Sequence, residues 1–211
     1  MNRRVPVGLL VLVSGSLLVG CSHHSDGTEP TATTTVPVPS TAPAVEVTTP
    51  PPDPEQVDTD NAIAAYENYV QVRDAVRQDY FNGWEEKVLP LTSGDEADWV
   101  AWYFSQGAQY GQHQVGSSAV GDVFVDEYSP DPTGAGHEQV VLRVCLDNSG
   151  IQSLDPSGTN QLDPTGIGRF WTAVIMQRQT NFDGQGQVME DPYGWSWWRV
   201  ASEKRDRGSS C

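Results

Sequence analysis

Basic residues are scarce in this chain. Twelve Lys and Arg stand against 28 Asp and Glu, giving a formal net charge of −16 over 211 residues. A surface of that sign repels phosphate backbones and anionic lipid headgroups, so nucleic acid is excluded as a partner and a basic membrane-binding patch is not expected. Cysteine is scarce too. Only Cys21, Cys145 and Cys211 occur, and none falls in a Cys-x-x-Cys, which removes the zinc knuckle and the thioredoxin-type site. No phosphate-binding loop, no Ser-His-Asp order and no zinc-ligand spacing is present. The expectation is therefore no metal, no cofactor and no catalytic constellation. No apolar run reaches the ~20 residues of a comfortable transmembrane helix.

What is present begins with export. Arg3 and Arg4 precede Val5 to Gly20, an almost wholly apolar or small stretch of signal-peptide length. It closes on Leu18-Val19-Gly20-Cys21. This tetrapeptide resembles the lipobox of bacterial lipoproteins. The resemblance implies cleavage before Cys21, diacylglycerol on its thiol, and a membrane-anchored protein on the extracytoplasmic face. Two or three acyl chains anchor stably where one would be marginal. Loss of the signal removes Arg3 and Arg4, and the mature charge becomes more negative still.

Residues 21–58 read as a linker. Thr31-Ala32-Thr33-Thr34-Thr35-Val36-Pro37-Val38-Pro39 and Thr48-Thr49-Pro50-Pro51-Pro52 set its composition. Proline removes backbone donors and fixes φ, and few large side chains are available for a core. An extended, partly polyproline-like segment would reach on the order of 100 Å when stretched. His23 and His24 lie here without a carboxylate cluster to make them metal ligands.

Residues 59–211 read as one domain of ordinary size. Thr59-Asp60 offers an N-cap, and Ile63, Tyr66, Tyr69, Val70 and Val76 recur at helical spacing to about residue 78. A short helix is expected from Trp84 to Leu89, ended by Pro90. A third runs from Asp95 to about Gln109, with Trp99, Trp102, Tyr103 and Phe104 on a wide apolar face. The period then changes. Strands are expected around Val120–Val125, over Glu138–Asp147, over Phe170–Gln179 and over Trp195–Ser202. Asp183-Gly184 centres a hairpin loop between the last two. Two adjacent tryptophans cannot both face inward on a strand, which places one of Trp197 and Trp198 outside. Helices first and antiparallel strands after give an α+β class, with N-terminal helices packed on one face of the sheet.

With Cys21 set aside, Cys145 and Cys211 remain. An even pair in an exported protein favours a disulfide; two unpaired thiols, one in a strand and one at a frayed end, are the alternative. The same stretch carries a further resemblance. Val144-Cys145-Leu146-Asp147-Asn148-Ser149 leaves a central strand, and Gly194-Trp195-Ser196-Trp197-Trp198-Arg199-Val200 forms a late one ahead of the terminal Cys211. Together with the helices-first order, these are similar to actinobacterial lipoproteins with an NTF2-like (SnoaL-like, cystatin-like) domain. The resemblance implies a curved sheet wrapping the first helix into a cone, and a strand cysteine suited to pair with the terminal one. It implies no single activity, since such domains serve as isomerases, cyclases, dehydratases and non-catalytic binding domains.

Candidate pocket residues are Tyr66, Tyr69, Trp99, Trp102 and Tyr103, weighed against plain core packing. Asp147 with Asn148 and Ser149 reads as a turn that satisfies its own backbone, and His113 and His137 read as loop residues. Asp155 and Asp163 recur in a Leu-Asp-Pro-[Ser/Thr]-Gly repeat, whose spacing does not match a calcium loop and favours consecutive turns. The expected function is a non-catalytic, envelope-tethered interaction module, with an envelope or secretion protein as partner and the membrane reached through lipid on Cys21. The alternative is a small-pocket enzyme or a carrier of an apolar ligand.

Overall fold

A computed structural model describes residues 51–130, 137–162, 168–180, 185, 187, 189, 195, 197–206 and 210–211. The expected signal, Cys21 and most of the linker lie outside these residues, as do Asp163 and the Asp183-Gly184 loop.

Helix α1 runs Pro54–Gln78. It starts earlier than residue 60, so residues 54–58 belong to the helix and not to the linker. Pro54, inside the expected linker, occupies the first turn, where its missing N–H has no intrahelical partner to lose. Asp53 is the N-cap, its Oδ1 accepting from the Glu55 N–H at 3.1 Å. Thr59 sits inside the helix, its hydroxyl donating to the carbonyls of Glu55 and Gln56. Asp58 joins the domain as well: it lies 3.5 Å from Arg178 Nη1 and accepts from the Tyr128 hydroxyl at 3.2 Å.

After α1 the chain reverses through Tyr80 and Phe81, both in the left-handed region at φ 54° and 62°. This conformation is uncommon for bulky residues. It drives Phe81 into the core, at 2% exposure. Helix α2 spans Trp84–Lys87, a 3-10 turn spans Leu89–Leu91, and α3 spans Gly94–Gln109. Phe81 meets α3 at Gly107, where a Cβ would lie 2.4 Å from the ring. It also packs edge-on against Phe104, with centroids 5.1 Å apart.

Strands β2 (Ala119–Ser129), β3 (Gln139–Asp147), β5 (Arg169–Arg178) and β6 (Trp198–Arg205) form one antiparallel sheet in the order β2-β3-β5-β6. β1 (His113–Val115) and β4 (Gln152–Leu154) make a separate two-stranded ladder. β1 includes His113, expected in a loop; three residues are too few to show a period. The inner face of the large sheet is Val140, Leu142, Val144, Leu146, Val174, Met176 and Val200, packed with Ala62, Tyr66, Tyr69 and Val70 of α1. The architecture is α+β, three helices on antiparallel sheets not closed into a barrel. Cys145 and Cys211 are bonded, with Cα atoms 5.8 Å apart. The last strand begins at Trp198, later than expected, so alternation does not govern Trp197, and both tryptophans are buried.

On α3 the expectation fails for two aromatics. Trp99 is 42% and Trp102 63% exposed. The buried stripe is instead Glu96, Val100, Phe104 and Gly107. Aromatics at 99, 102, 103 and 104 cover more of the circumference than one neighbour can cover. The face with valine and glycine wins because it admits Phe81 closely. Tyr66→Ala is therefore expected to cost about 3–5 kcal/mol by cavity formation. Trp102→Ala should stay within about 0.5 kcal/mol of the parent protein. Thermal melts of the two variants check this, and Cys211→Ser should lower the stability read from the same melts by roughly 2–4 kcal/mol.

Candidate functional site

The apolar stripe of α1 is interrupted by charge. Arg73 and Asp74 continue the buried face of Tyr66, Tyr69 and Val70, and both are at most 5% exposed. A buried guanidinium needs partners, and β6 supplies one through an irregularity. Ser202 pairs with Ile175 but Val200 pairs with Met176, so Ala201 is an extra residue on β6. The bulge inverts the alternation, and Glu203 now stands opposite the inward-facing Val174. Arg73 Nη1 reaches both Glu203 oxygens, at 3.1 and 3.3 Å. The Tyr66 hydroxyl donates to Glu203 Oε2 at 3.3 Å.

Two more groups complete the cluster. Glu96, on the first turn of α3, accepts from the Tyr69 hydroxyl at 2.6 Å. Arg73 lies 5.3 Å over the Tyr69 ring and 3.7 Å from Asp74, and its Nη2 donates to Ser118 Oγ at 3.5 Å. Asp74 accepts from the Ser118 backbone N–H. The network thus joins α1, α3, β6 and the loop before β2.

Burial, then the nearby Glu203 charge, pushes Glu96 from its ordinary value of 4.5 up to about 7. Burial raises both tyrosines well above their usual range, so they remain phenols that donate to carboxylates. Burial opposes the charge on Arg73, but Glu203, the tyrosines and Asp74 outweigh it and hold the guanidinium protonated.

Beside the network lies a half-open cleft of about 220 Å³, lined by Asp95, Glu96, Trp99, Ser202, Glu203 and Lys204. Of the five expected pocket residues only Trp99 lines it. Tyr66 and Tyr69 are fully buried behind its carboxylates. Tyr103 lies behind Trp99, stacked at 4.9 Å with ring planes 7° apart, and accepts from Arg77 Nη2 at 3.1 Å. Trp102 points to solvent instead of lining the cleft, because the helix turns its neighbours Val100 and Phe104 inward. Arg73, Glu96 and Glu203 were missed in the sequence. A signal existed for two of them: Arg73 lies four residues after Tyr69, and Glu96 four before Val100, both in register with apolar stripes.

The turns behave as read. Asp147 accepts from the Ser149 N–H at 2.9 Å, and Asp155 from the Ser157 and Thr159 N–H groups at 2.8 and 3.0 Å. Hydrogen bonds from Ser149 and from Ser157, respectively, lower both carboxyls. His113 opens β1 and stacks on Tyr80 at 4.6 Å. Among the described residues there is no cluster of three His, Cys, Asp or Glu placed to hold a metal, and no helix is long and apolar enough to cross a membrane.

No known protein family matches the chain, and no curated protein matches it. Among solved structures, the intermembrane space region of the chloroplast protein ARC6 is similar over 74% of this chain and 98% of that one, at 11% identity and a TM-score of 0.35.

Folded Glu96 holds its proton more tightly than the unfolded chain does. Its own contribution to stability should therefore be fully present below about 4.5, be lost as pH rises from there to about 7, and stay lost above. Glu96→Gln keeps an acceptor for Tyr69 and removes the charge. It should flatten this part of the profile and raise the melting temperature at pH 8, as read by thermal melts across the range.

Proposed function

We propose that this chain is a lipid-anchored, extracytoplasmic protein whose folded part is an NTF2-like, non-catalytic interaction module of the cell envelope. The anchor rests on the lipobox-like Leu18-Val19-Gly20-Cys21. The NTF2-like reading rests on the helices-first order and the antiparallel sheet around α1. The non-catalytic reading is carried by one observation. The interior groups that could do acid–base chemistry are engaged with one another: Glu203 with Arg73 and Tyr66, and Glu96 with Tyr69. Both carboxylates border the cleft, but their hydrogen bonds go to Arg73 and the tyrosines and hold α1 against β6 and α3. The Thr/Pro-rich linker would then carry the module away from the membrane, within reach of an envelope or secretion protein.

One observation favours the alternative, a small-pocket enzyme. Glu96, poised at about 7, borders a cleft and could act as a general acid or base near neutral pH.

Two experiments decide. Cys21→Ala should leave an uncleaved precursor or release the protein from membranes, and the lipidated N-terminal peptide should vanish from the mass spectrum; an unchanged lipopeptide overturns the anchor. A photo-crosslinker placed at position 102 of the full chain in cells should give a discrete protein adduct that Glu96→Gln leaves intact. No adduct, together with a small molecule found bound against Glu96 in the purified protein, would replace the module with the enzyme.

A further inference from the structure

We propose that the exposed face of α3 and the cleft beside it dock a basic segment of a partner protein, with one Lys or Arg side chain entering the cleft against Trp99. The inference rests on the interaction-module reading and names the chemistry of the partner.

Three observations carry it. The first is exposure. Trp99 and Trp102 lie one turn apart on α3 and are 42% and 63% exposed. Residues three apart on a helix are neighbours on its surface, so the two rings form one aromatic face. The second is order. Trp99 does not hang free: it stacks on Tyr103, which Arg77 fixes from behind through its hydroxyl, with the guanidinium 5.4 Å from the ring centroid. A ring already held in place loses little freedom on binding. Tryptophans of this kind are the usual anchors of protein contacts.

The third is charge. Asp95, on the cleft that Trp99 walls, and Asp98 stand exposed on the helix beside the indoles, with Lys204 on the same cleft; Glu203 is already paired with Arg73 and Glu96 with the Tyr69 hydroxyl, and the chain as a whole carries a net charge of −16. Carboxylates beside an accessible indole face select an ammonium or guanidinium group, which gains from both. The volume, about 220 Å³, is below the roughly 300–1,000 Å³ of ordinary small-ligand pockets. It suits the head of one side chain. An anionic bilayer would meet like charge here; a neutral glycan could stack on the indoles and hydrogen-bond to the carboxylates, but would leave their charge unpaired.

The test uses the full chain, purified in detergent, with a fluorescent hexa-arginine peptide as probe and a hexa-glutamate peptide as control. Hexa-arginine should bind and hexa-glutamate should not. Trp99→Ala and Trp102→Ala leave the charge untouched and should each weaken binding about tenfold. The exposed Trp102 keeps the test valid if the Trp99 variant loses stability. Asp95→Asn should weaken binding further in low salt than in high. Equal affinity in the parent and both tryptophan variants would mean diffuse attraction to an acidic protein and would overturn the proposal, as would no binding at all. Tryptophan-dependent binding to phosphatidylglycerol vesicles or to peptidoglycan, with none to hexa-arginine, would overturn it in favour of those partners. A protein adduct at position 102 without hexa-arginine binding would leave the module standing and remove only this partner chemistry.

Discussion

The contact between Arg73 and Glu203 sets the terms for the rest of this domain. Neither charge could stay among Val70, Val174 and the two tyrosines without the other, because an unpaired ion costs several kcal/mol in such surroundings. Its consequences spread outward. Glu203 reaches inward only because β6 carries an extra residue at Ala201. Burial first, and the charge of Glu203 second, press Glu96 toward neutrality, and burial raises Tyr69 well above its ordinary range. One helix, one strand and the start of another helix are thus held in a single electrostatic arrangement. Hydrophobic packing brings α1 to the sheet, while the ion pair fixes which residue faces which. Buried polar groups of this kind are weak contributors to net stability, and the apolar inner face of β3 and β5 supplies the larger share.

Much of this was legible in the sequence where a period was long enough to read. The three helices, the four long strands and the inward stripe of α1 follow from spacing, and counting favoured the Cys145–Cys211 pair, which the structure shows bonded, over two unpaired thiols. The failures have physical causes. Pro54 was mistaken for linker because proline breaks a helix interior and suits a helix start equally well. Trp99 and Trp102 were turned inward because large aromatics dominate a hydrophobicity reading, whereas close approach favours the stripe with Val100 and Gly107. Glu203 could not have been placed at all. Its inward aim depends on a bulge, and a bulge appears in a sequence only as an alternation that slips by one residue. Arg73 and Glu96 were readable in principle, as charges standing in register with apolar residues.

The acidity of the chain takes on a different meaning once its carboxylates are sorted by place. Asp147 and Asp155 serve turns, Asp58 and Glu138 meet Arg178, and Glu96 and Glu203 share the interior with Arg73. Others, Asp95 and Asp98 among them, stand beside exposed indoles. Net charge reports on solubility, but local arrangement reports on chemistry.

The strand β2 forms one edge of the sheet and runs for eleven residues, most of them exposed among the described residues. Such an edge is an open template onto which a second copy could add a strand. Here the template is spoiled twice. The pairing with β3 slips between Val120 and Val123 and again between Val125 and Glu127, so the free row of amides and carbonyls is kinked at both places. Asp122, Asp126 and Glu127 stand exposed along it, and a neighbouring β2 would bring the same charges to the same positions. Two copies meeting along β2 would bring like charges together, which opposes growth of the sheet through this edge.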